Sequence, residues 1–245
     1  MAADPNFEKH LHELEKSLGI PEGFIERLRD EDDWSFVIKA HALLEAAISQ
    51  LLAHELGKPQ LEGVFARLDM TAAFGKLTFG EVLDVVDKPK RRFIRALGEI
   101  RNDFAHQISN AGMKLDVYLA GMDKQKRKAK HEALDLIFAT VESIKVHGVQ
   151  RTPLEFFLAA PKIIIAASLG LVLVDIHGRT SVAKVSQDMR RSADALFTEF
   201  FMTSLGARKS VPGTLGSLAA APTEDGQSAG PDEGNGGSGG PAAEG

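Results

Sequence analysis

The sequence predicts an all-α protein, on three observations. Apolar residues recur at helical spacing along most of the chain, for example from Trp34 to Leu56. Glycine and proline mark the ends of these stretches, as Gly57 and Pro59 do here. The only run rich in β-favouring residues, Ile163 to Val174, has no second strand to pair with, and we therefore predict a helix there rather than a strand.

The composition is typical of a soluble globular protein without disulfide bonds. The chain has 245 residues, 44% hydrophobic and 26% charged, which is enough for a packed core. Cysteine is absent, so disulfides and thiolate metal sites are excluded, and a reducing compartment is compatible. No signal peptide is apparent, and we expect a cytoplasmic protein. The five acidic residues of 210–245, a segment without Lys or Arg, account for the net charge of −5. Because the rest of the chain is neutral, the net charge argues only weakly against a nucleic-acid partner.

The first half of the chain divides into four predicted helical regions. A short amphipathic helix is predicted from Asn6 to Leu18, and Pro21 begins a second one through Leu28. Asp32 or Asp33 can cap the long apolar helix from Trp34 to Leu56, which we expect at the centre of the fold. Residues 61–87 are less regular and should contain a turn followed by a short helix.

The second half continues the helical pattern. A helix follows Pro89 and should end at residues 109–112; we call it the motif helix because it carries Arg101, Asn102 and His106. Asp123 to Gly148 is predicted as a long helix. Arg151 to Val174 should be the last core element, and Ser181 to Leu205 an amphipathic helix that packs on the bundle or on a partner. We therefore divide the chain into an N-terminal helical extension (1–30), a helical domain (31–205) and a disordered Gly/Pro/Ala-rich tail (206–245).

One apolar stretch, Phe156 to Ile176, is almost long enough to span a bilayer. Pro161 and Lys162 interrupt it, and the uninterrupted run Ile163 to Val174 has 12 residues, a length more typical of a buried helix. A lysine near the bilayer centre would cost about 2.5 to 3.5 kcal/mol. We therefore expect a buried core segment and no membrane span, with a spanning helix as the alternative.

The residues most informative about function lie at the end of the motif helix. Arg101, Asn102 and His106 fall within about one and a half helical turns. Asn102 and His106 are four residues apart and project together, whereas the long Arg101 side chain must bend to reach the same place. An imidazole exchanges protons near neutral pH, and a guanidinium binds phosphate with two parallel hydrogen bonds. Such groups can hold a phosphodiester and move a proton without a metal.

The string Ile100 to His106, with Arg-Asn-x-Phe-Ala-His, resembles the Arg-x4-His motif of the HEPN superfamily, and more narrowly its mannitol-repressor-like branch. The resemblance covers roughly Asp33 to Leu173 and is strongest from Phe93 to His106. It implies a HEPN-like helical bundle, commonly a homodimer in which motifs from two protomers meet in one cleft. It also implies one of two functions: a metal-independent endoribonuclease of the toxin or defence type that binds RNA, or a non-catalytic regulator that binds a regulatory protein partner or nucleic acid.

The constellation and the resemblance together give a hypothesis for the site. His106 acts as general base or acid, Arg101 holds the scissile phosphate, and Asn102 orients His106 or the substrate. The simpler alternative is that an Arg and a His near a helix end only bind exposed carbonyls or interact with the helix dipole. The protein would then be a structural interaction domain.

Other polar residues are candidates for a supporting role. His41 and Glu45 are four apart on the central helix and could face the motif, or could simply mark the helix edge that reaches water. Basic residues before the motif could guide RNA, or could form a solvated face, as could a second basic cluster at 124–130. The candidate RNA-binding residues of the first cluster are Lys90, Arg91, Arg92 and Arg95.

The sequence contains no pattern that predicts a metal or another cofactor. The histidines are scattered without metal-ligand spacing, and there is no Gly-rich phosphate loop, nucleophile elbow or His-Glu-x-x-His string. We therefore predict a protein that works without a cofactor, and a nucleotide-hydrolysing or metalloprotease function is disfavoured.

Overall fold

Helices make up nearly all of the regular structure in the computed structural model, which describes residues 5–106, 112–138, 141–146 and 149–208. Only one small two-stranded sheet occurs in these ranges, and the predicted all-α class is confirmed. The helices are α1 (Pro5–Leu18), α2 (Phe24–Arg27), α3 (Asp33–Glu55), α4 (Glu62–Ala66), α5 (Lys76–Val82), α6 (Lys88–His106), α7 (Leu115–Ala120), α8 (Lys124–Leu134), α9 (Pro153–Ala159) and α10 (Pro161–Arg208).

The chain divides into two compact units, residues 1–198 and 199–245. In the second unit, the structure describes the helical residues 199–208. The disordered tail predicted from residue 206 therefore lies, beyond Arg208, outside the described residues. The predicted end of the motif helix at 109–112 also falls mostly outside them, because α6 is described to His106 and the next described residue is Gly112.

Helix α3 is the central helix of the first unit, as its apolar stripe predicts. The backbone N–H of Ser35 donates to the Asp32 carboxylate at 2.9 Å, which caps its N-terminus. Leu44, Ile48 and Leu51 are fully buried, and α3 packs against α4, α5 and α6. Burying each such side chain contributes about 1.5 to 3 kcal/mol, so this helix holds much of the core.

Helix α6 packs its predicted apolar face on α3. Phe93, Leu97, Ile100 and Phe104 are all buried. The indole N–H of Trp34, at the start of α3, donates to the Phe104 carbonyl at 3.1 Å. This bond satisfies a carbonyl near the helix end and fixes the C-terminal turn of α6 against the start of α3.

The N-terminal helices are joined to the core by a buried carboxylate. The Glu15 side chain accepts the backbone N–H groups of Gly23 and Ile25, each at 2.8 Å, and Glu15 is only 1% exposed. Leu11 and Leu14 of α1 are buried in the same core. Residues of the predicted N-terminal extension therefore pack as part of the first compact unit.

The largest difference from the sequence-based prediction lies after residue 134. The helix predicted from Asp123 to Gly148 ends at Leu134, so its second half is wrong. The buried Asp135 carboxylate accepts the backbone N–H groups of Ile137 and Phe138 at 3.0 and 2.8 Å. These bonds replace the helical ones and turn the chain. The strands β1 (Ile144–Val146) and β2 (Val149–Arg151) then pair as an antiparallel hairpin.

The last core element is two helices rather than one. Thr152 and Glu155 form a capping box at the start of α9. Ala160 then leaves the helical conformation before Pro161, which disfavours a helical residue in front of it. Helix α10 runs unbroken for 48 residues, so the segments predicted separately up to Val174 and from Ser181 form one helix. The predicted helix over Ile163 to Val174 is confirmed.

Among the described residues, two helices are long and apolar enough to cross a membrane by length and composition, Asp33–Glu55 and Pro161–Ser204. In the most apolar 18-residue stretch of each helix, 72% and 56% are buried inside the protein, as in the core helices of soluble proteins. Lys162 is held inside the fold, where its ammonium donates to the Glu31 carbonyl and lies 3.4 Å from the Asp33 carboxylate. The absence of a membrane span stays a prediction.

Replacing Glu15 with alanine should destabilise the protein by about 1 to 3 kcal/mol, because the buried N–H groups of Gly23 and Ile25 would lose their acceptor. The measurement is urea unfolding followed by circular dichroism. Glu8→Ala on the exposed side of α1 is the matched control and should change the free energy of unfolding by less than about 0.5 kcal/mol. Equal effects of the two changes would contradict the role given to Glu15.

Candidate functional site

The three predicted motif residues stand at the C-terminal end of α6. Asn102 and His106 are exposed, and Arg101 is half-buried. The Nη1 atom of Arg101 donates to Oδ1 of Asn102 at 3.1 Å. The guanidinium is therefore bent toward Asn102. The side chain of His106 forms no hydrogen bond or ion pair with another described residue.

A cluster of ionisable groups on α3 and α5 adjoins α6; we call its members His41, Glu45 and Lys76 the buried polar cluster. Glu45 lies between the other two, with Oε2 3.8 Å from Nδ1 of His41 and Oε1 4.0 Å from Nζ of Lys76. The Lys76 side chain is 1% exposed, and its ammonium donates to the Ala66 carbonyl at 3.4 Å. Glu45 thus compensates the charge of a buried lysine.

Glycine at position 98 lets α3 and α6 approach each other at this cluster. A Cβ atom placed on Gly98 would lie only 3.2 Å from Nε2 of His41. The His41 imidazole therefore lies against the backbone of the motif helix, one turn before Arg101. Any larger residue at 98 would displace the ring or separate the helices.

Burial and charge shift the proton equilibria of the buried polar cluster. Burial lowers the pKa of His41; the Glu45 carboxylate opposes this shift, and the charges of Arg101 and Lys76 add to it. Burial also lowers the pKa of Lys76, against the opposing effect of Glu45 and Asp69. His41 is therefore uncharged at neutral pH, and the charge of Arg101 favours this state. Such perturbed groups gather at functional sites, and also in structural ion-pair networks.

Tyr118 is a neighbour of the motif that the sequence reading did not single out. Its hydroxyl donates to the Asp103 carboxylate, and its ring meets Phe104 edge-on with centroids 5.3 Å apart. Burial, together with the bond to Asp103 and the negative charges of Asp103 and Glu99, raises the pKa of Tyr118. These contacts fix α7 beside the end of α6. The signal in the sequence is slight: Tyr118 is the only tyrosine of the chain.

An open groove of about 1070 Å³ runs between α6, α7 and α8. We call it the basic groove, because both basic clusters of the sequence contribute to it. Arg92 and Arg95 come from α6, and Lys126 and Lys130 come from α8. Asp103 and Tyr118 also line it, so the groove reaches the last turns of the motif helix.

The four predicted RNA-binding residues separate into two pairs. Lys90 and Arg91 are partly buried in ion pairs: Lys90 pairs with Asp87 and with Asp175, at 3.1 Å from the latter, and Arg91 with Glu81 at 2.8 Å. Arg92 and Arg95 line the basic groove instead. The structure therefore places only the second pair where an extended anion could lie.

The charges of the basic groove are partly compensated within the protein. Lys130 pairs with Glu99 at 2.5 Å, Arg92 lies 3.8 Å from Glu132, and Lys126 lies 3.8 Å from Asp123. Exposed Arg95 forms no ion pair with another described residue. Arg95 is therefore the groove cation most available to an external phosphate.

The depressed pKa of His41 makes a prediction about pH. Because the folded protein binds this proton less readily than the unfolded chain, whose histidine pKa is near 6.5, the contribution to stability is complete above pH 6.5 and is lost as pH falls toward the folded-state pKa. His41→Gln should reduce the loss of unfolding free energy just below pH 6.5, measured by urea unfolding at a series of pH values. A pH dependence of the unfolding free energy that is the same in His41→Gln and wild type would contradict this prediction.

Comparisons of this chain with models of protein families, with curated proteins and with solved structures give no match. The function of the chain is therefore inferred from the chemistry and positions of the side chains described above. They are an arginine, an amide and a histidine at one helix end, a buried polar cluster behind the arginine, and a basic groove that leads to the same helix end.

Proposed function

We propose that this chain is a HEPN-like RNA-binding protein and a metal-independent endoribonuclease whose catalytic residues are Arg101, Asn102 and His106. The observation that carries the proposal is the position of Arg101. Its guanidinium contacts Asn102 on the exposed face of α6 and interacts electrostatically with His41 of the buried polar cluster behind it. The proposal includes a cytoplasmic homodimer in which the two motifs share a cleft.

Cleavage of the phosphodiester needs two proton transfers, one from the attacking oxygen and one to the leaving oxygen. The 2′-oxygen of a ribose attacks the adjacent phosphorus as a base removes its proton, and the bond from phosphorus to the 5′-oxygen breaks as that oxygen receives a proton. His106 takes part as the base or the acid, since imidazole performs either role near neutral pH. Arg101 stabilises the negative charge on the phosphate oxygens, and Asn102, which accepts a hydrogen bond from Arg101, orients His106 or the substrate. The products are a 2′,3′-cyclic phosphate and a 5′-hydroxyl.

His41 and Glu45 support the site rather than contact the substrate. His41 is buried against Gly98, and Glu45 is only partly exposed, so neither is positioned like a group at an open surface. An uncharged His41 lessens repulsion behind Arg101, and Glu45 compensates Lys76. Their expected role is to hold the guanidinium in place with its charge directed outward.

The basic groove provides a binding path for the strand on either side of the scissile bond. Its mouth includes Asp103 and Tyr118, which belong to the last turns of α6 and to α7. Arg92 and Arg95 lie two to three turns earlier on α6. Arg101, Asn102 and His106 do not line the groove themselves. The proposal is that a bound strand leaves the groove past Asp103 to reach them.

Purified protein incubated with mixed single-stranded and transfer RNA in EDTA should produce fragments with 2′,3′-cyclic phosphate ends. His106→Ala should reduce the rate by at least about 100-fold, because proton transfer by a positioned side chain typically contributes 10² to 10⁴. Fragment ends are identified by mass spectrometry, and circular dichroism checks the fold.

His12→Ala is the matched control, since His12 is a partly exposed histidine of α1 and should not affect cleavage. Cleavage that is equal in His106→Ala and wild type would show that His106 is not catalytic. If neither protein cleaves while both bind RNA, the nuclease part of the proposal is wrong and the binding part remains.

A second candidate function, a non-catalytic regulator of the mannitol-repressor type, is favoured by one surface of α10. Val182, Val185, Met189 and Leu196 are each more than half exposed in the first unit. An exposed apolar stripe on a helix is typical of a protein-binding surface. In this alternative Met189→Glu would abolish partner binding, whereas His106→Ala would not.

RNA binding should depend on salt through the basic groove. Replacing Arg95 with alanine removes one phosphate contact and should reduce the slope of log K against log salt by about 0.7 for single-stranded RNA. Fluorescence anisotropy with a labelled oligonucleotide at several salt concentrations measures this slope. Lys9→Ala removes an exposed cation of α1 and is the control. Equal slopes for Arg95→Ala and wild type would place the RNA elsewhere.

A further inference from the structure

Three side chains with metal-binding donors converge between α1 and α10. One donor atom each from His10, Glu13 and His177 lies within 4.8 Å of the other two. Glu13 is central: its Oε2 is 3.8 Å from Nδ1 of His10 and 3.4 Å from Nε2 of His177. The two imidazole rings are 5.9 Å apart and tilted by 58°, so they do not stack but direct their edges toward the carboxylate.

Two nitrogen atoms of these rings lack partners. The Nδ1 atoms of His10 and His177 are buried and form no hydrogen bond. His177 is almost wholly enclosed, with its side chain 8% exposed. A buried polar nitrogen without a partner costs about 1 to 3 kcal/mol, and such atoms are uncommon in native proteins. For His10 the unpaired nitrogen is the one that faces Glu13 and supports a missing partner there, whereas His177 faces Glu13 with Nε2 and its unpaired Nδ1 lies away from that carboxylate.

We propose that His10 Nδ1, Glu13 Oε2 and His177 Nε2 bind a divalent transition-metal ion, Zn²⁺ being the best match. Two imidazoles and one carboxylate are a ligand set that suits zinc, whereas calcium and magnesium prefer oxygen ligands alone. The three protein ligands leave a fourth tetrahedral position for water. No cysteine or further acidic side chain is needed.

The two separations from Glu13 need only a small contraction, and the donor atoms of the two imidazoles lie within 4.8 Å of each other. Metal bonds of 2.0 to 2.2 Å place tetrahedral ligand atoms roughly 3.3 Å apart. The present separations of 3.4 and 3.8 Å from Glu13 Oε2 are close to this value. His10 and Glu13 are about half exposed and can adjust, while the enclosed His177 provides a fixed ligand.

Glu13 Oε2 and His177 Nε2 form a hydrogen bond with each other at 3.4 Å, which a bound metal ion would replace. Lys9 lies 3.8 Å from the other Glu13 oxygen, Oε1, and so does not occupy the metal-facing one. Lys184 is the nearby cation that would oppose metal binding.

A metal ion at this site would crosslink α1 and α10. Glu13 and His177 are separated by 164 positions in the sequence, and a metal that joins them closes nearly the whole first unit into a loop. Since the unfolded chain has no such preformed site, the binding free energy adds to stability. The site lies on α1 and α10, which contribute none of the proposed catalytic residues.

The test uses the full chain after EDTA treatment and dialysis. Zn²⁺ should raise Tm by about 5 °C at saturating concentration. Co²⁺, as a spectroscopic substitute, should give the visible absorption bands of a four- or five-coordinate ion with one equivalent bound. Glu13→Gln should abolish both effects while the folded protein persists, because Glu13 is about half exposed.

His12→Gln is the matched control on the same helix and should retain both the Tm shift and the Co²⁺ spectrum. His177→Gln should also lose both, and if this variant does not fold, Glu13→Gln and His10→Gln carry the test. Zn²⁺ affinity and Co²⁺ spectra that are the same in Glu13→Gln and wild type would overturn the proposal, as would an octahedral Co²⁺ spectrum with no Tm shift.

Discussion

The packing of α6 against α3 is the contact on which the rest of the first unit depends. Both helices bury an unbroken apolar face there, and the Trp34 indole and Phe104 carbonyl join their ends. Gly98 allows the close approach that places His41 against the motif helix. Through this one contact, the hydrophobic core determines where the Arg101 guanidinium stands and which charges lie behind it.

Local sequence patterns predicted the helices well where one interaction dominates. The positions of Phe93, Leu97 and Ile100 revealed the buried face of α6, and Asp32 revealed the cap of α3. The end of α8 could not be found in the same way. Asp135 looks like an ordinary helical residue, but its buried carboxylate binds the backbone N–H groups of Ile137 and Phe138 and stops the helix. Burial of that kind is a tertiary property.

The candidate site, too, was predictable from the sequence only where the residues concerned lie on one helix. Spacing within one helix indicated that Asn102 and His106 project together and that Arg101 must bend toward them, and its bond to Asn102 has this direction. Sequence could not choose between solvated and enclosed surroundings for His41, which turned out to be buried. Nor could the sequence show which of the four basic residues line the groove. Only the fold brings Asp175 to Lys90, and only the fold places α8 beside Arg92. The convergence of His10 and His177 also depends on packing between distant helices.

The single tryptophan of the chain has a practical value of its own. Because the indole of Trp34 is bonded to the last turns of α6, its emission reports on the part of the molecule that carries Arg101 and His106. Because the chain has one tyrosine and no second tryptophan, its fluorescence excited in the near ultraviolet comes mainly from Trp34. The protein therefore contains an intrinsic optical probe of its motif helix, and ligand titrations can be followed without attaching a dye.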